Sequence, residues 1–153
     1  MKLIAVALLS AAFALPAGDP AGFRLWKSAE LKGYAKTLAP KMNDKHVASQ
    51  VLDTMSNYRF QMAHREGSGE GEWHEKKADI FFVQSGEATL IVGGELVDAH
   101  KSGEGEMLAP SIKGGVEKKL MAGDVVTIPA KLPHQMKLDP GKEITYFVVK
   151  VDQ

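Results

Sequence analysis

Residues 70–86 read Glu70-Gly71-Glu72-Trp73-His74-Glu75-Lys76-Lys77-Ala78-Asp79-Ile80-Phe81-Phe82-Val83-Gln84-Ser85-Gly86. If Glu70–His74 is a strand, a side-chain period of two puts Glu70, Glu72 and His74 on one face and Trp73 on the other. Asp79 opens the next strand, in which Asp79, Phe81 and Val83 share a face. A carboxylate and an imidazole two positions apart, with a second carboxylate across a short connection, is the kind of cluster that holds a divalent metal.

The same period extends on both sides. In Tyr58-Arg59-Phe60-Gln61-Met62-Ala63-His64-Arg65 it places Tyr58, Phe60, Met62 and His64 on one face, expected inward, and Arg59, Gln61 and Arg65 on the other. Further strands are expected over 46–52, 80–84, 88–92, 124–128 and 144–151, punctuated by Ser85-Gly86, Gly93-Gly94, Ala122-Gly123, Pro133 and Pro140-Gly141. Many short strands with Gly/Pro turns read as an all-β sandwich or barrel. A short helix is expected over 26–39, with Leu31, Leu38 and Tyr34 or Ala35 on one face and Pro40 ending it. Residues 99–115, rich in Gly and Pro, read as a long surface loop.

Composition narrows the function. The 153 residues suffice for one domain, and 44% hydrophobic content excludes a disordered chain. Lys plus Arg (19) equals Asp plus Glu (19), so the basic excess of a nucleic-acid binder is missing. With no cysteine, a metal has only His and carboxylate to bind it. The five histidines are His46, His64, His74, His100 and His134, of which His46 and His100 are expected at the surface. Residues 1–17 carry one Lys, an apolar run and small residues at Ala12-Phe13-Ala14 or Leu15-Pro16-Ala17. That is the pattern of a signal peptide, spanning 1–14 or 1–17, and it implies a periplasmic or secreted protein. Residues 18–45 then form an N-terminal segment and 46–153 the β domain.

A second stretch, Gly123-Asp124-Val125-Val126-Thr127-Ile128-Pro129-Ala130-Lys131-Leu132-Pro133-His134, sets a turn glycine, a strand, a proline-bounded corner and a histidine in order. Together with residues 70–86 it resembles the two motifs of the cupin superfamily. Glu72, His74, Asp79 and Gly86 stand at the first motif's His, His, Glu and closing Gly. Gly123, Pro129 and His134 match the second, while Lys131 replaces a Gly, Leu138 an Asn, and Glu66 the first motif's opening Gly. The resemblance implies a single antiparallel, jelly-roll-like barrel over about Tyr58–Val151, whose mouth holds a metal, and a homodimer. The ligand set it implies is Glu72, His74, Asp79 and His134. The ion would be Fe, Mn, Zn or Ni, with Glu72 or Asp79 free to act as a general base. Tyr58, Phe60, Met62, His64, Phe81 and Met136 are the expected pocket.

Three functions stay open on this reading: a metal-dependent enzyme acting on a small oxygen-bearing substrate, dioxygenase- or isomerase-like; a non-catalytic module binding a small ligand; and a structural β domain. Glu72, His74 and His134 can also satisfy one another as a polar network without an ion.

Overall fold

The structure, a computed structural model, describes residues 18–153, so the expected signal peptide lies outside the described residues. One helix, α1 (Ser28–Leu38), is followed by a 3-10 turn at Ala39–Lys41 that contains Pro40. Twelve strands follow: β1 (Val47–Met55), β2 (Tyr58–Arg65), β3 (Gly71–His74), β4 (Lys77–Val92), β5 (Glu95–Val97), β6 (His100–Gly103), β7 (Glu106–Ala109), β8 (Ser111–Lys113), β9 (Val116–Met121), β10 (Val125–Ile128), β11 (His134–Lys137) and β12 (Ile144–Asp152). Ten of them form a curled antiparallel sheet in the order β1-β2-β12-β4-β11-β3-β7-β6, with β9 and β10 paired to β4. The remaining two, β5 and β8, pair with each other.

Strand β4 holds the barrel together. Its first half pairs with β12 and β10, and its second half with β11 and β9. The segments expected at 80–84 and 88–92 are therefore one strand. Gly86 bends it instead of ending it. At φ 77° this residue adopts a conformation open to glycine, and an added Cβ would stand 2.0 Å from the Glu143 carbonyl oxygen. The register slips beside it, between Thr145 and Tyr146 of β12.

Both faces of the β2–β12–β4 sheet are buried, in two different ways. Inside the barrel, Ala63, Phe81, Val83, Leu90, Ile128, Met136, Tyr146 and Val148 form the main core. Outside it, Met62, Phe147 and Ala48 pack against Leu38, joined by Leu31, Tyr34, Trp26 and Phe60. The apolar stripe of α1 thus supplies a cover that a bare barrel would lack.

Two expectations are corrected, the first by that cover. Tyr58, Phe60, Met62 and His64 do share a face, but it is the outer one. Phe60 and Met62 pack in the cluster beneath α1. Alternation fixes which residues lie together, and not which of two buried faces is the barrel interior. The inward residues of β2 are Gln61, Ala63 and Arg65, which line the cavity inside the barrel. Nor are residues 99–115 a loop. They hold β6, β7 and β8, with β7 paired to β3 through Trp73↔Met107 and His74↔Glu106. Such short strands are stabilised by distant partners, and their glycines mark tight hairpins such as that at Gly105, φ 65°.

Candidate metal centre

Three strands bring the expected ligands together. His74 closes β3, His134 opens β11 opposite Glu72, and Asp79 stands near the start of β4. A backbone bond from Lys131 N–H to the His74 carbonyl oxygen, 2.7 Å, ties the proline-bounded corner to β3. Lys131 stands at φ 66°, the left-handed conformation that explains why the motif it resembles has a glycine there.

The donor atoms of Glu72, His74, Asp79 and His134 all lie within 4.8 Å of one another. Asp79 Oδ2 is 3.5 Å from His74 Nε2 and 3.6 Å from His134 Nε2, and Glu72 Oε2 is 3.5 Å from His74 Nε2. Ligand atoms roughly 2.0–2.2 Å from a tetrahedral ion stand roughly 3.3–3.6 Å apart, which is this spacing. Asp79 is 1% exposed, His134 4% and His74 6%.

The orientation of the two rings is set from behind. His74 Nδ1 meets the Glu106 carboxylate, which is also held by Lys77 Nζ at 2.5 Å. His134 Nδ1 donates to the Leu132 carbonyl oxygen at 3.1 Å. With Nδ1 the donor in each ring, the neutral tautomer leaves its lone pair on Nε2. Both Nε2 atoms are buried without a hydrogen-bond partner. Two orphaned imidazole nitrogens and two carboxylates facing one point fit a divalent ion.

Electrostatics of the ion-free cluster pull the other way on His74. Burial lowers its pKa, but the Asp79 and Glu72 carboxylates facing Nε2 from 3.5 Å outweigh that and raise it to about 9. Burial raises the pKa of Glu72, yet His74, Lys150, His134 and Arg65 together bring it down to about 2. For Asp79, too, burial is outweighed, by His134, His74 and Lys150, and its carboxyl is held well below the ordinary range.

Two participants carry no signal in the sequence, and a third stands on a face expected to be solvated. Glu106 comes from the segment read as a loop. Lys150, directly opposite Asp79 in register, sets its Nζ 2.7 and 3.0 Å from the two carboxylate oxygens. Arg65, read as outward, lines the barrel cavity and donates from Nε to the Tyr146 hydroxyl at 3.0 Å. The period of β12 would have put Lys150 with Tyr146 and Val148, had the face been known.

Of the expected pocket, only Phe81 and Met136 lie on the barrel side, and the Phe81 ring stands 6.4 Å from that of His134. His64 is buried on the other face against the Thr145 hydroxyl at 2.8 Å. Two cavities reach the cluster. An inner one of about 210 Å³ is lined by Gln61, Arg65, Glu72, Asp79, Tyr146 and Lys150, among others. An outer cleft of about 660 Å³ is lined by Lys45, His46, Arg65, Glu70, Glu72, Gln135 and Lys137, among others.

No family model matches the sequence, and no curated protein matches it. Solved structures do. TT1209 from Thermus thermophilus superposes at TM-score 0.54 and 18% identity, over 76% of this chain and 92% of that one. The polyketide cyclase RemF from Streptomyces resistomycificus gives 0.51 and 18%, over 71% and 67%. A cupin 2 conserved barrel domain protein from Rhodopseudomonas palustris gives 0.50 and 17%, over 69% of this chain and 60% of that one. At these identities the likeness is one of fold.

Proposed function

We propose, from the premise that the chain has a cupin barrel, that it is an exported metal-dependent enzyme acting on a small oxygen-bearing substrate. His74 and His134 hold a divalent ion (Fe, Mn, Zn or Ni) together with Asp79, which leaves Glu72 free beside it. The observation that carries this reading is the convergence of two buried, partnerless Nε2 atoms on Asp79 Oδ2, each ring pinned through Nδ1. The ion's contribution is Lewis acidity toward a substrate oxygen. The protein's own part is to exclude water, to fix the rings and to present Glu72. That residue exposes 28% of its side chain and borders both cavities, so it is the acid placed to take a proton from a ligand. Asp79, a ligand already paired with Lys150, is not free to act as that base. The protein works in the periplasm or outside the cell, as a homodimer.

One observation favours a second reading, a non-catalytic ligand-binding module. The Asp79–Lys150 pair and a protonated His74 already balance the buried acids without an ion. Metal analysis of protein from its native compartment separates the two. Stoichiometric metal in the wild type, lost in the His74→Ala/His134→Ala double variant, supports the metal centre, and turnover of a small dicarboxylate, phenol or thiol by the loaded protein then supports the enzyme. Equal, near-zero content in both removes it.

A further inference from the structure

We infer that the ligand of this site is a small organic anion whose carboxylate is recognised by Arg65; this rests on the metal reading above. Two cations, Arg65 and Lys150, and two anions, Glu72 and Asp79, line the inner cavity, and they cancel. Both cations are largely buried, with 13% and 14% of their side chains exposed. A divalent ion held by neutral imidazoles turns that balance into an excess of two positive charges beside a nearly inaccessible Asp79. Uncompensated charge in so dry a place is costly, and an anionic ligand removes the cost.

The two cations differ in how fully they are engaged. Lys150 reaches both oxygens of Asp79. Arg65 makes one hydrogen bond, to the neutral hydroxyl of Tyr146, and its Nη2 stands 3.6 Å from Glu72, beyond hydrogen-bonding distance. A guanidinium carries five donors in a planar fork that matches a carboxylate two bonds at a time.

Position completes the case. Arg65, Glu72 and Val47 line both the inner cavity and the outer cleft, so a molecule passing from cleft to cluster travels along Arg65. The inner volume of about 210 Å³ is below the roughly 300–1,000 Å³ that encloses a drug-sized ligand. What enters it is small, a few carbons with an acid group.

The test loads the full protein with Zn²⁺, desalts it, measures zinc content, and titrates sodium malonate or propane-1,3-diol by calorimetry. Malonate is expected to bind one per chain, at least tenfold tighter to the loaded than to the zinc-free protein, with the diol giving no heat. Arg65→Met is expected to weaken malonate at least tenfold at unchanged zinc content, and Arg65→Lys to fall between. Malonate binding no better than the diol, or equally to wild type and both variants, overturns the inference while leaving the metal reading intact. So does loss of zinc into the malonate solution. Failure of zinc to load at one per chain overturns the metal reading and the charge argument with it.

Discussion

Lys150 Nζ lies 2.7 and 3.0 Å from the two carboxylate oxygens of Asp79, across directly paired positions of β12 and β4. The ammonium stands beside the point on which the His74 and His134 nitrogens converge. It stabilises the ion-free barrel and opposes a divalent ion.

Replacing it therefore has two effects of opposite sign. Lys150→Met is expected to destabilise the metal-free protein by about 3 kcal/mol, because a buried carboxylate loses its partner. The same variant is expected to bind Zn²⁺ at least tenfold tighter, since one positive charge leaves the ion's surroundings. Urea unfolding and a zinc competition titration read the two effects separately. Unchanged zinc affinity would remove Lys150 from the account of the site.

Stability of the metal-free protein should depend on pH with a definite sign. The folded pKa of His74, about 9, lies above its ordinary 6.5, so its contribution is complete below 6.5 and is lost as pH rises through 9. Glu72, lowered from 4.5 to about 2, contributes above 4.5 and loses that contribution as pH falls through 2. A plateau between 4.5 and 6.5 is expected, with a decline on the order of 2 kcal/mol from pH 6.5 to 9. Denaturation series at pH 6, 7.5 and 9 check it, and a His74→Gln chain should show a flatter alkaline limb.

Glu106 touches no expected ligand oxygen, yet it holds His74 from behind. Glu106→Gln keeps the size but weakens the grip on Nδ1. Zinc affinity is expected to fall about tenfold to a hundredfold, with the fold retained by circular dichroism. An affinity equal to that of the wild type would mean the ring is positioned by β3 alone.

At the corner of β4, Gly86→Ala sets a methyl 2.0 Å from a backbone oxygen at a φ that side chains resist. A loss of about 3 kcal/mol or more is expected in thermal or urea unfolding, through strain in both halves of the barrel. A loss below about 1 kcal/mol would show that β12 can move aside.

Much of this was readable along the chain. Gly86, Gly123 and His134 stand out by spacing, although Gly86, expected to end a strand, bends β4 instead. Alternation in residues 58–65 fixed the companions of each side chain. It left open which face turns inward, since α1 buries the outer face as thoroughly as the barrel buries the inner one. For that reason alternation alone places Arg65 outward and Met62 inward, the reverse of the folded chain. Residues 99–115 misled for a different reason: three- and four-residue strands carry little local signal, and their order comes from partners such as β3.

By itself, then, the amino-acid order determined most of the longer strands and the turn glycines, and the likeness to the cupin motifs pointed to the four acids and imidazoles that meet. The strands and turns follow from local sterics and a period of two, which act over a few residues. Only the tertiary structure decided that Lys150 answers Asp79, that Glu106 steadies His74 and that Arg65 stands between cleft and cavity. Those pairings join residues 71, 32 and 81 positions apart, taking Arg65 with its partner Tyr146, and depend on sheet register and on a helix laid across one face. Long-range packing sets both.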